Sequence, residues 1–187
     1  MPKIVAITGQ KYAGKDTAAD YLVTKYGYKK FEISEPLKKI CAIMFGFSEE
    51  QLHGTLKETV DQKWRVSPRQ ALQFIGTDLF RYQIGRLLPN VGANIWTDIL
   101  INAIDSSGQD KVVISGIRFQ DEIDELKRRY ENDAGTGTVV VIKIKRPGLL
   151  TGDKHISETG VEDIIADITI YNDSSLSDMY DQLDKMF

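Results

Sequence analysis

Gly9, Gly14 and Lys15 stand in the stretch Gly9-Gln10-Lys11-Tyr12-Ala13-Gly14-Lys15, which satisfies G-x-x-x-x-G-K. Residues of these types at this spacing hold phosphate. The glycines let the backbone take positive φ and come close to an anion. Loop N–H groups and the N-terminus of a following helix then point at that anion. Lys15 adds a full positive charge for β/γ-phosphate oxygens. Asp16 replaces the hydroxyl residue that usually follows the lysine, and Thr17 comes next. A carboxylate at Asp16 offers Mg²⁺ a hard oxygen, directly or through water. Thr17 can still donate to a phosphate.

Guanidinium groups suit a second phosphate because they donate in pairs within a plane. Arg118 directly follows an apolar run, so a rigid element fixes its position; the competing reading is a surface salt bridge with Asp121 or Glu122. Arg69, Gln73 and Thr77 follow one another at i, i+4, i+8, one face of a helix. Arg81 lies on the same segment. A face of Arg, Gln and Thr is either solvated or a phosphate reader. Gly76 inside that helix costs about 1 kcal/mol relative to Ala, which points to a close approach to the backbone there. Arg146 and Lys154 belong to a long loop that could fold over phosphates. Trp96 and Trp64 could stack on a base or pack in the core. His53 and His155 have no Cys or second His to support a metal site.

These groups need a scaffold. Short segments at 4–7, 28–33, 111–115, 139–144 and 167–171 read as strands, with continuous apolar runs at 4–7 and within 111–115. Helical patterns lie between them. Behind the glycine loop the stripe is Ala18, Leu22 and Tyr26. From 35 it is Ile40, Cys41, Met44 and Phe45. A long helix from 67 to about 88 carries Leu72, Ile75 and Leu79, and one from 93 to 104 carries Trp96, Ile99, Leu100 and Ala103. Gln120 to Tyr130 is a charged helix with Ile123 and Leu126 inward. Residues 134–137 read as a turn. Strands alternating with helices give a parallel α/β sheet covered on both faces. Ligands then sit beyond the C-terminal strand ends, where the glycine loop, Ser34, Arg118, Arg146 and Asn172 all fall. Residues 34–110 are too many for one crossover and read as a helical insertion able to hold a second substrate.

Composition narrows the classes. A chain of 187 residues, 42% hydrophobic and 27% charged, is ordinary for one globular domain. A net charge of −3 argues against a broad nucleic-acid or anionic-membrane surface. The single cysteine, Cys41, excludes an internal disulfide. No apolar run is long enough for a membrane span, and the first strand starts too early to leave room for a signal peptide. The expected location is therefore the cytoplasm, that of a host if the source is viral. Apolar residues around 45–52 would suit a homodimer contact.

The motifs GQKYAGKDT (9–17), SEPLKK (34–39), SPRQALQFIGTDL (67–79), IRFQDE (117–122), KRPG (145–148), HISETG (155–160) and DITIYNDSSL (167–176) occur in that order. In this the chain resembles the deoxynucleoside monophosphate kinases of phages and large DNA viruses, within the P-loop nucleoside-monophosphate-kinase group. The resemblance implies a three-layer α/β/α P-loop kinase fold with a five-stranded parallel sheet in the order 2-3-1-4-5. It implies one domain over 1–187, with residues 34–110 as the monophosphate-binding insertion and 146–165 as a lid. It implies ATP with Mg²⁺, a deoxynucleoside 5′-monophosphate as acceptor, and the diphosphate as product.

Carried over by position, Gly9, Lys11, Ala13, Gly14, Lys15, Asp16 and Thr17 would bind ATP, with Asn172 near its base. Ser34, Lys38, Arg69, Gln73, Gly76, Thr77 and Arg81 would face the acceptor, with Trp96 nearby. Arg118 would bridge the two phosphates beside Glu122. Lys15, Arg118 and Arg146 would stabilise the transferring group. Relatives often carry an Asp two residues before the post-strand Arg; Gly116 stands there in this chain, so the metal contact must come from Asp16 or through water. Alternative readings are a phosphomevalonate-kinase-like enzyme of the same group, or a nucleotide-dependent switch with no second substrate.

Overall fold

Five short strands pair side by side in the computed structural model, which describes residues 3–131, 139–149 and 152–187. The strands are β1 (Ile4–Thr8), β2 (Lys29–Glu32), β3 (Val112–Ile117), β4 (Val139–Lys145) and β5 (Ile168–Tyr171). All pairings are parallel, in the order β2-β3-β1-β4-β5. Central β1 is buried at every position, whereas the edge strand β2 is half-exposed or exposed throughout and β5 buries only Ile170. That gradient is why the central runs are continuously apolar and the edges are not. The turn expected at 134–137 lies outside the described residues.

The chain divides into two compact units, Met1–Ile33 with Leu100–Phe187, and Ser34–Ile99. The first carries the sheet. Val5 and Ile7 point to one face, against Ala18, Ala19 and Leu22 of α1 (Lys15–Tyr26) and Met179 and Leu183 of α8 (Leu176–Asp184). The opposite face is covered by α6 (Gln120–Tyr130), whose Ile123 and Leu126 are fully buried. Three layers result, as the family resemblance implies.

One irregularity shapes the active end of the sheet. The β1–β3 register shifts between Ile7 and Thr8, so Thr8 faces Ile117 rather than Gly116, and its hydroxyl donates to the Ile117 carbonyl at 2.9 Å. Gly116 takes φ +87° at this step. An L-side chain there would be strained, which gives a backbone reason for the glycine at this position.

The second unit holds α2 (Glu35–Phe45), α3 (Glu49–His53) and α4 (Pro68–Gln73), with 3₁₀ turns between them, and the start of α5 (Ile95–Ser107). Three sequence expectations are corrected here. The helix from 67 to 88 is not uniform. After α4 the chain winds as a π-helix over Phe74–Arg81, then breaks into a 3₁₀ turn at Ile84–Arg86. The wider i→i+5 turn buries Thr77 and Arg81 and leaves Leu79 exposed. In α2 the buried residues are Leu37, Lys38 and Cys41, while Met44 is exposed. Leu37 turns inward because Gly76 leaves it room: a Cβ on Gly76 would lie 2.5 Å from Leu37 Cδ2. In α5 the inward residues are Trp96, Leu100, Ile101 and Ile104, with Ile99 and Ala103 exposed. The line 96, 100, 104 at i, i+4 spacing outweighs the staggered stripe expected.

Candidate active site

β1 ends at Thr8 and the chain turns at once into the glycine loop. Gly9, Tyr12 and Gly14 all have positive φ, at +143°, +65° and +103°. Two of these positions admit no side chain. A Cβ on Gly9 would lie 2.4 Å from the Ile144 carbonyl oxygen, and one on Gly14 would lie 2.7 Å from Asn172 Nδ2. The loop closes through the Ala13 N–H donating to Gln10 O at 3.2 Å, and α1 begins at Lys15. Lys15 is buried and its Nζ donates to the Gln10 carbonyl at 2.6 Å, folded over the loop it serves.

A cavity of about 490 Å³ opens at this point, lined by Tyr12, Gly14, Lys15, Asp16, Thr17, Arg146, Asn172, Ser174 and Leu176. Asn172, just past β5, donates from Nδ2 to the Ala13 carbonyl at 2.9 Å, so it ties the loop to the far strand as well as lining the cavity. Arg146, just past β4, is exposed to that space.

Asp16 has a partner that the sequence did not signal. Lys30 on β2 lies 3.4 Å from Asp16 and 2.9 Å from Asp20. Burial works to raise the Asp16 carboxyl; Lys30 and Lys15, with hydrogen bonds from Lys30 and Ser115, overcome it and hold the group below the usual carboxylate value. An anionic carboxylate lining this cavity suits a hard divalent cation.

Arg118 sits one residue past β3. Its main-chain N–H donates to Glu122 Oε2 at 2.8 Å, and the Phe119 N–H donates to the same oxygen at 3.2 Å. Glu122, buried at the start of α6, therefore fixes the post-strand turn rather than facing outward. The guanidinium pairs with neither Asp121 nor Glu122. Nη1 meets Glu158 Oε2 at 2.8 Å, and that oxygen also accepts the Lys11 N–H at 3.2 Å. Glu158 and Lys30, with Ser174 and Leu176 of the cavity lining, are the residues that sequence reasoning missed. Glu158 lies inside the HISETG motif, which was the one available signal for it.

Most of the expected acceptor residues lie in the second unit. Ser34 is the N-cap residue of α2, and buried Lys38 places Nζ 3.2 Å from His53 Nδ1. Arg69 donates through Nε to Glu58 Oε1 at 3.1 Å. Gln73 ends α4; Thr77 and Arg81 are buried on the π-helix, and Arg81 Nη1 donates to the Ala93 carbonyl at 3.2 Å. The close approach expected at Gly76 is made by the protein itself: Trp96 Nε1 donates to the Gly76 carbonyl at 2.8 Å. Trp96 is 7% exposed and packs beside Phe80, which is the core reading of that residue. Phe47 and Leu52 are buried and Phe45 lies against Phe47 and Trp64, so the apolar residues of 45–52 serve their own unit.

A family model for deoxynucleotide monophosphate kinase matches residues 3–60 and 46–183. The chain belongs to the deoxynucleotide monophosphate kinase family. A relative from Acanthamoeba polyphaga mimivirus that bears this family's name is 35% identical, over 96% of this chain and 93% of its own. The deoxynucleotide monophosphate kinase of Enterobacteria phage T4 is 22% identical, covering 97% of each chain. Among solved structures, dephospho-CoA kinase from Campylobacter jejuni is 17% identical, with a TM-score of 0.44 over 100% of this chain and 96% of that one. The enzyme is thus a kinase acting on a small nucleotide, and the switch and phosphomevalonate-type alternatives fall away. No helix among its described residues is long and apolar enough to cross a membrane.

Proposed function

We propose that the kinase transfers the γ-phosphoryl group of ATP to the 5′-phosphate of a deoxynucleoside monophosphate in the cytoplasm, using the glycine loop for the donor and the Ser34–Ile99 unit for the acceptor. The observation that carries this reading is the loop of three positive-φ residues opening, at the N-terminus of α1, into a cavity that Lys15, Thr17 and Arg146 line. Loop N–H groups and Thr17 would hold the donor phosphates, and Asn172 would border its nucleoside. Lys15, Arg118 and Arg146 would neutralise charge that builds up on the transferring group, which is the main task a protein has in this chemistry. The acceptor phosphate is already anionic, so no side chain has to remove a proton first. Ser34, Lys38, Arg69, Gln73, Thr77 and Arg81 would orient the acceptor.

A bound Mg²⁺ would supply charge neutralisation to the donor phosphates. Asp16 is the carboxylate that would hold it, with the Lys30 ammonium 3.4 Å away. ADP release measured with each of the four deoxynucleoside monophosphates tests the reaction. Turnover should depend on the acceptor and on ATP. Arg118→Ala should lower kcat by about 10²–10³, and Arg69→Ala should raise KM for the monophosphate more than for ATP. Full kcat in the Arg118 variant would remove the central assignment.

A further inference from the structure

Glu158 carries a carboxylate in a place where an unpaired one would be costly. It is 3% exposed, and a charge so buried must be matched by partners. It lies in the short helix α7 (Ile156–Thr159), where its own N–H donates to the His155 carbonyl at 2.8 Å. His155 caps this turn through Nδ1, which accepts the Ser157 N–H at 3.2 Å. The same segment reaches the glycine loop a second time, through Asp153 Oδ2 at 3.6 Å from Lys11 Nζ. Gly160 closes the segment against the post-strand turn: a Cβ there would stand 3.5 Å from the Arg118 carbonyl oxygen, in ordinary contact.

One oxygen of Glu158 does two jobs. Oε2 accepts Arg118 Nη1 at 2.8 Å and the Lys11 N–H at 3.2 Å, so a single atom sets the distance between the guanidinium and the phosphate loop. Nη1 also reaches the Ser157 carbonyl at 3.4 Å. Nε and Nη2 of Arg118 have no hydrogen-bond partner among the described residues, and the side chain is 20% exposed. Glu158 therefore takes one edge of the guanidinium and leaves other donors available. Glu122 holds the backbone of Arg118, and Glu158 holds its far end.

We infer that Glu158 is a positioning residue for phosphoryl transfer: its carboxylate pins the Arg118 guanidinium against the Lys11 amide, so that the remaining Arg118 donors are aimed before the phosphates arrive. A long arginine side chain has many rotamers, and pre-setting one removes an ordering cost from the reacting complex. The effect is geometric. What matters is the reach of the acceptor oxygen, more than the negative charge behind it. This inference rests on the assignment of Arg118 to the transferring phosphate.

Two substitutions separate reach from charge. Glu158→Gln keeps the reach and an acceptor oxygen and removes the charge. Glu158→Asp keeps the charge and draws the oxygen back by one methylene. Steady-state ADP release should give kcat within about threefold of the parent for Glu158→Gln and a loss of about 10–100-fold for Glu158→Asp, the scale set by a displacement of order 1 Å near the chemistry. KM for ATP and for the monophosphate should stay within about twofold in both. In an Arg118→Ala background, Glu158→Asp should change kcat by less than about twofold, because nothing remains to be aimed. The inference is overturned if Glu158→Gln loses kcat as deeply as Glu158→Asp, if Glu158→Asp keeps its kcat, if the loss appears in KM instead, or if it persists undiminished without Arg118. Full activity of Arg118→Ala alone would instead overturn the assignment of Arg118 itself.

Discussion

Gly14→Ala tests the loop geometry with numbers drawn from the structure. Gly14 has φ +103° and ψ +16°, a conformation that costs a residue with a Cβ roughly 1–3 kcal/mol. The new methyl would also lie 2.7 Å from Asn172 Nδ2, so Asn172 must move. Its hydrogen bond to the Ala13 carbonyl, now 2.9 Å, is then lost, at a net cost of about 1 kcal/mol. Together these predict a destabilisation of about 2–4 kcal/mol. Urea titrations of the parent, Gly14→Ala, Asn172→Ala and the double variant close a thermodynamic cycle. In the Asn172→Ala background the methyl has space and the bond is already gone. Gly14→Ala should then cost only the backbone part, leaving a coupling of about 1 kcal/mol between the sites. Equal cost in both backgrounds, within a few tenths of a kcal/mol, would refute the claim that Asn172 seals the loop. Gly9→Ala should behave differently. Its methyl meets the Ile144 carbonyl oxygen at 2.4 Å, and truncating a side chain cannot relieve a clash with strand backbone.

Three further outcomes are expected. Lys15→Met should lower kcat by about 10²–10³ in the ADP-release assay, and a loss under about threefold would show that Lys15 does not act on the transferring group. Trp96→Phe removes the buried N–H that reaches the Gly76 carbonyl and should cost about 1–3 kcal/mol by urea unfolding. Asp178 supplies a pH test. The Ser174 and Ser175 hydroxyls and the Ser175 N–H hold its carboxyl down from 3.8 to about 2. A carboxylate depressed in the folded state stabilises above its unfolded value and loses that contribution as pH falls through the folded one. The parent should therefore melt above Asp178→Asn near neutral pH, with the gap closing as pH falls from 3.8 to about 2; a gap that widened on acidification would contradict the sign.

Much of the site could be read from the chain because its signals are local. The glycine loop, the strand before it and the helix after it occupy one continuous stretch, and the apolar continuity of the runs at Ile4 and Val112 reflects burial on both faces of a sheet. Arg118 is read the same way, from a strand that stops one residue earlier. The winding of Phe74–Arg81 was not legible, since propensity and spacing assume a uniform period. Its π-turn buries Thr77 and Arg81 around contacts that Leu37 and Trp96 make with Gly76. The inward faces of α2 and α5 were misjudged because apolar residues exceed the buried positions on each helix, and packing chooses among them.

From the order of residues alone follow the phosphate loop, the alternation of strands and helices, and the placement of basic groups past strand ends; each depends on neighbours a few positions away. The pairing of charges does not. Glu158 meets Arg118 across 40 positions, Lys30 of β2 reaches Asp16 at the start of α1, and the neutral hydrogen bond from Asn172 to Ala13 spans 159. Those partnerships exist because the order β2-β3-β1-β4-β5 sets which loops lie side by side. A carboxylate selects its cation by distance in space, which separation along the chain does not encode.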